Sequence, residues 1–117
     1  MNVPKAIGPY SPFIKTDNLV FCSGQVGVDP KTSNLLEGIE NQTHQAMRNI
    51  SAVLEEAGTN LENVVKTTIF LKNINDFAKV NEIYGSFFTK QKPARSTIEV
   101  SNLPKGALIE IEVTARM

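Results

Sequence analysis

The residues able to do chemistry in this sequence are few and scattered. Arg95, directly after Pro93-Ala94, carries a guanidinium that can hold an anion, and Glu110, in the run Ile109-Glu110-Ile111-Glu112, carries a carboxylate that can move a proton. His44, Cys22 and Tyr10 add an imidazole, a thiol and a phenol. No triad or metal set emerges, because the chain holds one histidine and one cysteine. Each of these residues also has a plainer reading. Arg95 serves equally in a surface ion pair, which contributes little, and Glu110 as the solvent-facing member of a half-buried strand. His44 lies beside the apolar stripe of a helix and reads as solvent-facing or capping. Cys22, inside an apolar run, reads as inert core, because a reactive thiol needs exposure and a lowered pKa. Tyr10, in Gly8-Pro9-Tyr10-Ser11-Pro12, reads as a packed aromatic with its hydroxyl at the surface. Gly24, between Ser23 and Gln25, marks either a bulge or a close approach of a ligand to the backbone. Spacing alone makes none of them catalytic.

The elements that must position these residues follow from periodicity. Leu19 to Val28 forms a β-type apolar run closed by the turn Asp29-Pro30-Lys31-Thr32-Ser33-Asn34, and reads as one buried strand. From Ile39 to Ala57 the apolar residues Ile39, Ala46, Met47, Ile50, Val53, Leu54 and Ala57 recur at helical spacing, and Gly58 supplies the stop. Val64 to Lys72 is β-branched and without helical period, which predicts a strand. A second helix opens at Asn75 or Asp76, runs through Phe77, Val80, Ile83, Tyr84 and Phe87, and ends before Pro93. Arg95–Val100 and Ala107–Ala115 alternate plainly and are separated by a loop, which predicts a hairpin. With a short strand near Phe13-Ile14 the order is ββαβαββ, an α+β domain with both helices on one face of one sheet.

The final strand turns Ile109, Ile111, Val113 and Ala115 to one face and Leu108, Glu110, Glu112 and Thr114 to the other. A hairpin would bring Arg95, Thr97 and Glu99 onto the face of Glu110, away from the helices. A sheet face without helices, and a strand from Leu19 to Val28 that is apolar at successive positions, call for a second copy to cover them. Twelve basic and twelve acidic residues cancel, so attraction to a polyanion is not built into the molecule. The N-terminal stretch lacks the apolar run of a secretory signal and no later run is long enough to span a bilayer, which places the protein in the cytosol. The Asn-x-Ser/Thr matches at Asn41 and Asn49 then carry no meaning. At 117 residues the chain reads as one domain, residues 1–117.

Six segments, taken together, resemble the Rid (reactive intermediate deaminase) family, also called YjgF or L-PSP endoribonuclease-like, in its RidA subgroup. They are Ala6-Ile7-Gly8-Pro9-Tyr10-Ser11, Cys22-Ser23-Gly24-Gln25-Val26, Val65-Lys66-Thr67-Thr68, Asn75-Asp76-Phe77, Pro93-Ala94-Arg95-Ser96, and Leu103-Pro104-Lys105-Gly106 with Ile109-Glu110-Ile111-Glu112. The resemblance implies a chorismate-mutase-like α+β fold assembled as a homotrimer, with sites between subunits. It implies hydrolysis of 2-imino acids or their enamines, such as 2-iminobutanoate and 2-iminopropanoate, to 2-keto acids and ammonia, without metal or organic cofactor. By the same resemblance Arg95 pairs with the substrate carboxylate and Glu110 positions or activates the attacking water. Tyr10, Ser23, Gly24, Asn81 and Thr97 line the pocket. A protonated imine is already electrophilic, so an anchor, an oriented water and a proton handler meet the needs of the reaction.

The sequence departs from the family pattern at Thr97, where many relatives carry cysteine, at Ser33, where a glycine usually follows Pro-Lys-Thr, and in a shorter connection from Phe88 to Pro93. That connection leads into Arg95 and bears on pocket size. Two rival readings differ in class: an RNA-directed ribonuclease or translation inhibitor, opposed by zero net charge, and a non-catalytic, chaperone-like trimer that binds metabolites in the same cleft.

Overall fold

The computed structural model describes residues 3–117; Met1 and Asn2, the first residues of the N-terminal stretch read above, lie outside the described residues. In chain order the elements are β1 (Phe13–Thr16), β2 (Leu19–Cys22), β3 (Gln25–Val26), α1 (Ile39–Ala57), β4 (Val64–Leu71), α2 (Phe77–Ser86), β5 (Ala94–Glu99) and β6 (Ile109–Arg116). The strands form one mixed, six-stranded sheet in the order β1-β2-β6-β4-β5, with β3 paired to β6. Both helices lie on the same face, and the fold is the expected α+β architecture.

The first helix is where the period predicted it. Its stripe of Ile39, Ala46, Met47, Ile50, Val53, Leu54 and Ala57 is buried against Ile69, Leu71, Ile109, Ile111 and Val113 of the sheet. Gly58 ends it in the left-handed region (φ 93°), its N–H returning to the carbonyls of Glu55 and Leu54. Polar side chains on that stripe lock α1 to the sheet. Asn49 is fully buried; its Nδ2 donates to the carbonyls of Val26 (3.0 Å) and Val28 (2.9 Å), and its Oδ1 accepts from Gln45 (2.8 Å). Gln42 donates to the Leu36 carbonyl and accepts from the N–H of Leu108. Gly27 allows this approach: a Cβ there would lie 2.5 Å from Cα of Gln42, so α1 rests on bare backbone.

The structure corrects three readings of the sequence. The run from Leu19 to Val28 is not one strand buried on both sides but β2 and β3, interrupted at Ser23-Gly24. In β2 only Val20 and Cys22 turn inward, whereas Leu19 and Phe21 remain 37% and 46% exposed on the open face. Second, β5 and β6 are not a hairpin. β4 lies between them, parallel to β5 and antiparallel to β6. The N–H of Val100 donates to Leu71 and that of Lys72 to Leu108, so both ends of the connecting loop are tied to the end of β4, which the loop passes before returning on its far side.

Third, the faces differ. Thr67 of β4 pairs with Arg95 and with Val113, whereas Phe70 pairs with Ile98 and with Glu110. Paired residues share a face, so Arg95, Thr97 and Glu99 lie on the helix side and Glu110 on the open side. The hairpin reading had put them together because alternation fixes parity within a strand but not its partner.

Replacing Asn49 by alanine removes the amide donor from the carbonyls of Val26 and Val28, of which Val26 keeps the N–H of Val28 at 2.8 Å, so the loss is about 1–3 kcal/mol and falls mainly on the Val28 carbonyl. Urea denaturation at fixed protein concentration should show a lower midpoint with an unchanged slope. A change below about 0.5 kcal/mol would mean that those carbonyls find other partners.

Candidate active site

Two clefts hold most of the residues singled out above. The first lies on the open face, has a volume of about 410 Å³, and is lined by Ile7, Tyr10, Ser23, Gly24, Pro104 and Glu110, among others. Here the break between β2 and β3 acquires its purpose. A Cβ on Gly24 would overlap Oε2 of Glu110, so this glycine is where the glutamate side chain crosses the neighbouring strand. Ser23 holds the break from the other side, its Oγ donating to the carbonyl of Ser11 at 2.7 Å and its N–H to that of Pro12 at 2.9 Å. Tyr10 is half exposed, and its hydroxyl accepts a long 3.5 Å contact from the N–H of Ile7.

Glu110 has its pKa raised above the ordinary 4.5, first because burial penalises the carboxylate, then because Glu112 adds like charge from the same face of β6. It holds a proton more readily than a free glutamate.

The second cleft, about 300 Å³, opens between α2 and β5 and is lined by Asn81, Tyr84, Gly85, Phe88, Lys92, Pro93 and Arg95. Arg95 has no carboxylate within ion-pairing distance among the described residues. Its guanidinium carbon lies 5.1 Å from the ring centre of Tyr84 and 5.4 Å from that of Phe77. Two oxygens, Oδ1 of Asn81 and Oγ1 of Thr97, are buried without a hydrogen-bond partner among the described residues. Glu99, further along β5, accepts from the N–H of Ile74 at 2.8 Å and so ties the turn that opens α2 to the strand bearing Arg95.

Of the expected site residues, Tyr10, Ser23, Gly24 and Glu110 thus gather in the first cleft and Asn81 and Arg95 in the second, with Thr97 beside Arg95 on β5. The chain does not bring the two sets together, since they lie on opposite faces with β4 between their strands. Tyr84, Phe77 and Glu112 were not singled out from the sequence. The helical spacing of Phe77, Asn81, Tyr84 and Phe88 was the available signal for the first two. His44 packs near Phe87, at a ring separation of 6.1 Å, and lines neither cleft. Cys22 is buried, its thiol pushed up to about 11 by burial, as an inert core residue should be. Among the described residues no three His, Cys, Asp or Glu side chains converge as metal ligands, and no helix is long and apolar enough to cross a membrane.

Comparison with known proteins shows the family and the fold. The endoribonuclease L-PSP family profile matches residues 1–117. A RutC family protein of Pyrococcus horikoshii is 53% identical over 115 residues, spanning 97% of this chain and 91% of its own. A Salmonella typhimurium protein named 2-iminobutanoate/2-iminopropanoate deaminase is 46% identical over 117 residues, with 97% and 91% covered. The crystal structure of the Rid-family protein YyfA of Yersinia pestis superposes with a TM-score of 0.97 at 52% identity, covering 99% of this chain and 94% of its own. The fold is that of an α+β Rid-type domain. The chain belongs to the endoribonuclease L-PSP family, the Rid/YjgF family of the resemblance noted above.

The raised pKa of Glu110 gives a stability prediction with a definite sign. The folded chain binds this proton more tightly than the unfolded one, so the contribution favours folding below the ordinary 4.5 and is lost as pH rises through the folded value. Glu110→Gln cannot ionise and should melt higher than wild type near neutral pH, the difference shrinking as pH falls towards 4.5. Melting scans of both proteins across that range measure it; a variant melting lower throughout would contradict the burial of an ionised carboxylate.

Proposed function

We propose that this chain hydrolyses 2-imino acids, or their enamine tautomers, to 2-keto acids and ammonia, at sites shared between the subunits of a homotrimer. The observation that carries the reading is the separation of an unpaired arginine and a proton-retaining glutamate onto opposite faces of one sheet. A substrate of a few heavy atoms cannot span that sheet, but Arg95 of one copy and Glu110 of a second can meet around it. The open face favours such assembly, since Ile14, Phe21 and Ile98 stand 58%, 46% and 46% exposed on it.

In this reading the guanidinium of Arg95 takes the substrate carboxylate through two parallel N–H donors, which fixes both position and rotation. Asn81 and Thr97, with buried unpaired oxygens, supply further polar contacts. Glu110 accepts a proton from water as the water oxygen bonds to the carbon of the protonated imine and the C=N π pair moves to nitrogen, forming a carbinolamine. It then returns that proton to nitrogen. The C–N bond breaks as the hydroxyl proton passes through the re-ionised Glu110 to the departing ammonia, which leaves as ammonium, and the keto acid remains. Every proton is accounted for, and the raised pKa of Glu110 brings it closer to the working pH. An RNA substrate fits poorly, because Glu110 and Glu112 line the open cleft and would repel phosphates.

The test is a coupled assay in which a threonine dehydratase releases 2-iminobutanoate and the rate of keto-acid appearance is followed with and without this protein. Arg95→Ala and Arg95→Lys should remain trimeric by light scattering while kcat/KM falls by roughly 30- to 5,000-fold, the cost of truncating one member of a desolvated charge pair. Glu110→Gln should lower kcat by about 10²–10⁴-fold. An Arg95→Ala protein that keeps most of its activity, or a wild-type chain that is monomeric at micromolar concentration, would refute the mechanism.

A further inference from the structure

Among the described residues no acid holds Arg95. It leans instead on the rings of Tyr84 and Phe77, at 5.1 and 5.4 Å from their centres. Tyr84 is buried in the stripe of α2 that faces the sheet, and its hydroxyl shares a 2.7 Å hydrogen bond with Oγ1 of Thr67. Thr67 is the β4 residue paired with Arg95. Strand and ring are therefore tied together beneath the guanidinium. Tyr84 is further braced by Phe88, whose ring lies 4.9 Å away, while Phe77 is 39% exposed at the start of α2.

We infer that Tyr84 and Phe77 are positioning residues, an aromatic seat that fixes the Arg95 guanidinium for a substrate carboxylate while leaving its N–H donors and its charge unspent. An acidic partner would hold the side chain as firmly, but would occupy the in-plane donors and cancel the charge. A ring face attracts the cation through its quadrupole and leaves the donors along the guanidinium edge free. The bond to Thr67 prevents the Tyr84 ring from swinging away when the arginine is pulled towards an anion. Lys92, at the same cleft, donates to the carbonyl of Phe88 at 3.1 Å and has no acid partner among the described residues.

This inference rests on the reading of Arg95 as the carboxylate anchor, and the experiment separates the two. Binding of 2-oxobutanoate, a small 2-keto carboxylate, is measured by titration calorimetry for wild type, Arg95→Ala, Tyr84→Phe, Tyr84→Leu and Phe77→Leu, with melting temperature and oligomer mass recorded for each. Kd should rise about tenfold for Tyr84→Leu, the equivalent of about 1.4 kcal/mol, and about threefold for the more exposed Phe77→Leu. Tyr84→Phe keeps the ring face and should restore Kd to within about threefold of wild type, even though it loses the Thr67 bond and melts lower. In imine hydrolysis the leucine variants should raise KM more than they lower kcat, because a loosened anchor costs binding before chemistry. If both leucine variants bind 2-oxobutanoate as wild type does while Arg95→Ala does not, the anchor stands and the seat is overturned. The seat is equally overturned if Tyr84→Phe weakens binding as much as Tyr84→Leu. Unaltered binding by Arg95→Ala would overturn both readings. Should Tyr84→Leu fail to fold, Phe77→Leu alone decides, with wild-type Kd overturning the proposal.

Discussion

The two-residue alternation of β6 is the constraint on which both core and site depend. Ile109, Ile111, Val113 and Ala115 point inward and are buried under α1, while Glu110, Glu112 and Thr114 point outward along the same eight residues. Because β2, β3 and β4 all pair with this strand, its parity sets theirs. A one-residue slip would drive the two carboxylates into the apolar layer and expose the isoleucines, a cost no local rearrangement could offset. The position of Glu110 is thus as firmly specified as the core itself. Its surroundings follow from its neighbours on the sheet: Val26 and Phe70 beside it in the pairing and the bare backbone of Gly24 beneath its carboxylate.

The other half of the proposed site is specified differently. Arg95 sits on β5, an edge strand whose exposure pattern carries no buried residue. Its place is set by the parallel register with β4, and that register is set by α2, which must cross from the end of one strand to the start of the other. The contacts that fix α2 are correspondingly specific. Tyr84 meets Thr67, Glu99 accepts from Ile74, and Phe88 backs Tyr84. The connection before Arg95, short for the family by the sequence reading, returns the chain through Lys92, whose amine holds the Phe88 carbonyl at the end of α2.

These two modes of specification explain what was legible in the sequence. Both helices and the strand β6 announce themselves by period, because each buries one side and exposes the other, and β4 announces itself by its β-branched residues. The clefts were foreshadowed by motif likeness, and Tyr10, Ser23, Gly24 and Glu110 do meet at one of them. The strand order was not legible, because alternation in β5 and β6 is the same whether they pair with each other or with β4. Asn49 illustrates a second gap. Its Asn-x-Ser match has no bearing on its buried role, and nothing local says that its amide will reach two carbonyls more than twenty positions away in sequence. Ser33 shows the reverse case: the resemblance places a glycine there, and the residue adopts φ 63°, a conformation that glycine takes without strain.

Keeping Arg95 and Glu110 apart within one chain has an energetic logic of its own. Had β5 and β6 formed the hairpin expected from their sequences, the two side chains would face each other, and an arginine beside a glutamate lowers the carboxylate's pKa while using the guanidinium's donors. Both groups would be spent on one another. In the observed order each instead has neighbours that sharpen its own character: Glu110 has burial and a second carboxylate, which favour the protonated form, and Arg95 has two ring faces, which steady a cation without neutralising it. The insertion of a single strand, β4, between them achieves this. A substitution of Thr67 or Phe70 that left the sheet intact would leave that separation intact too, because it resides in the parity of the pairing, with Thr67 in the row of Arg95 and Phe70 in the row of Glu110.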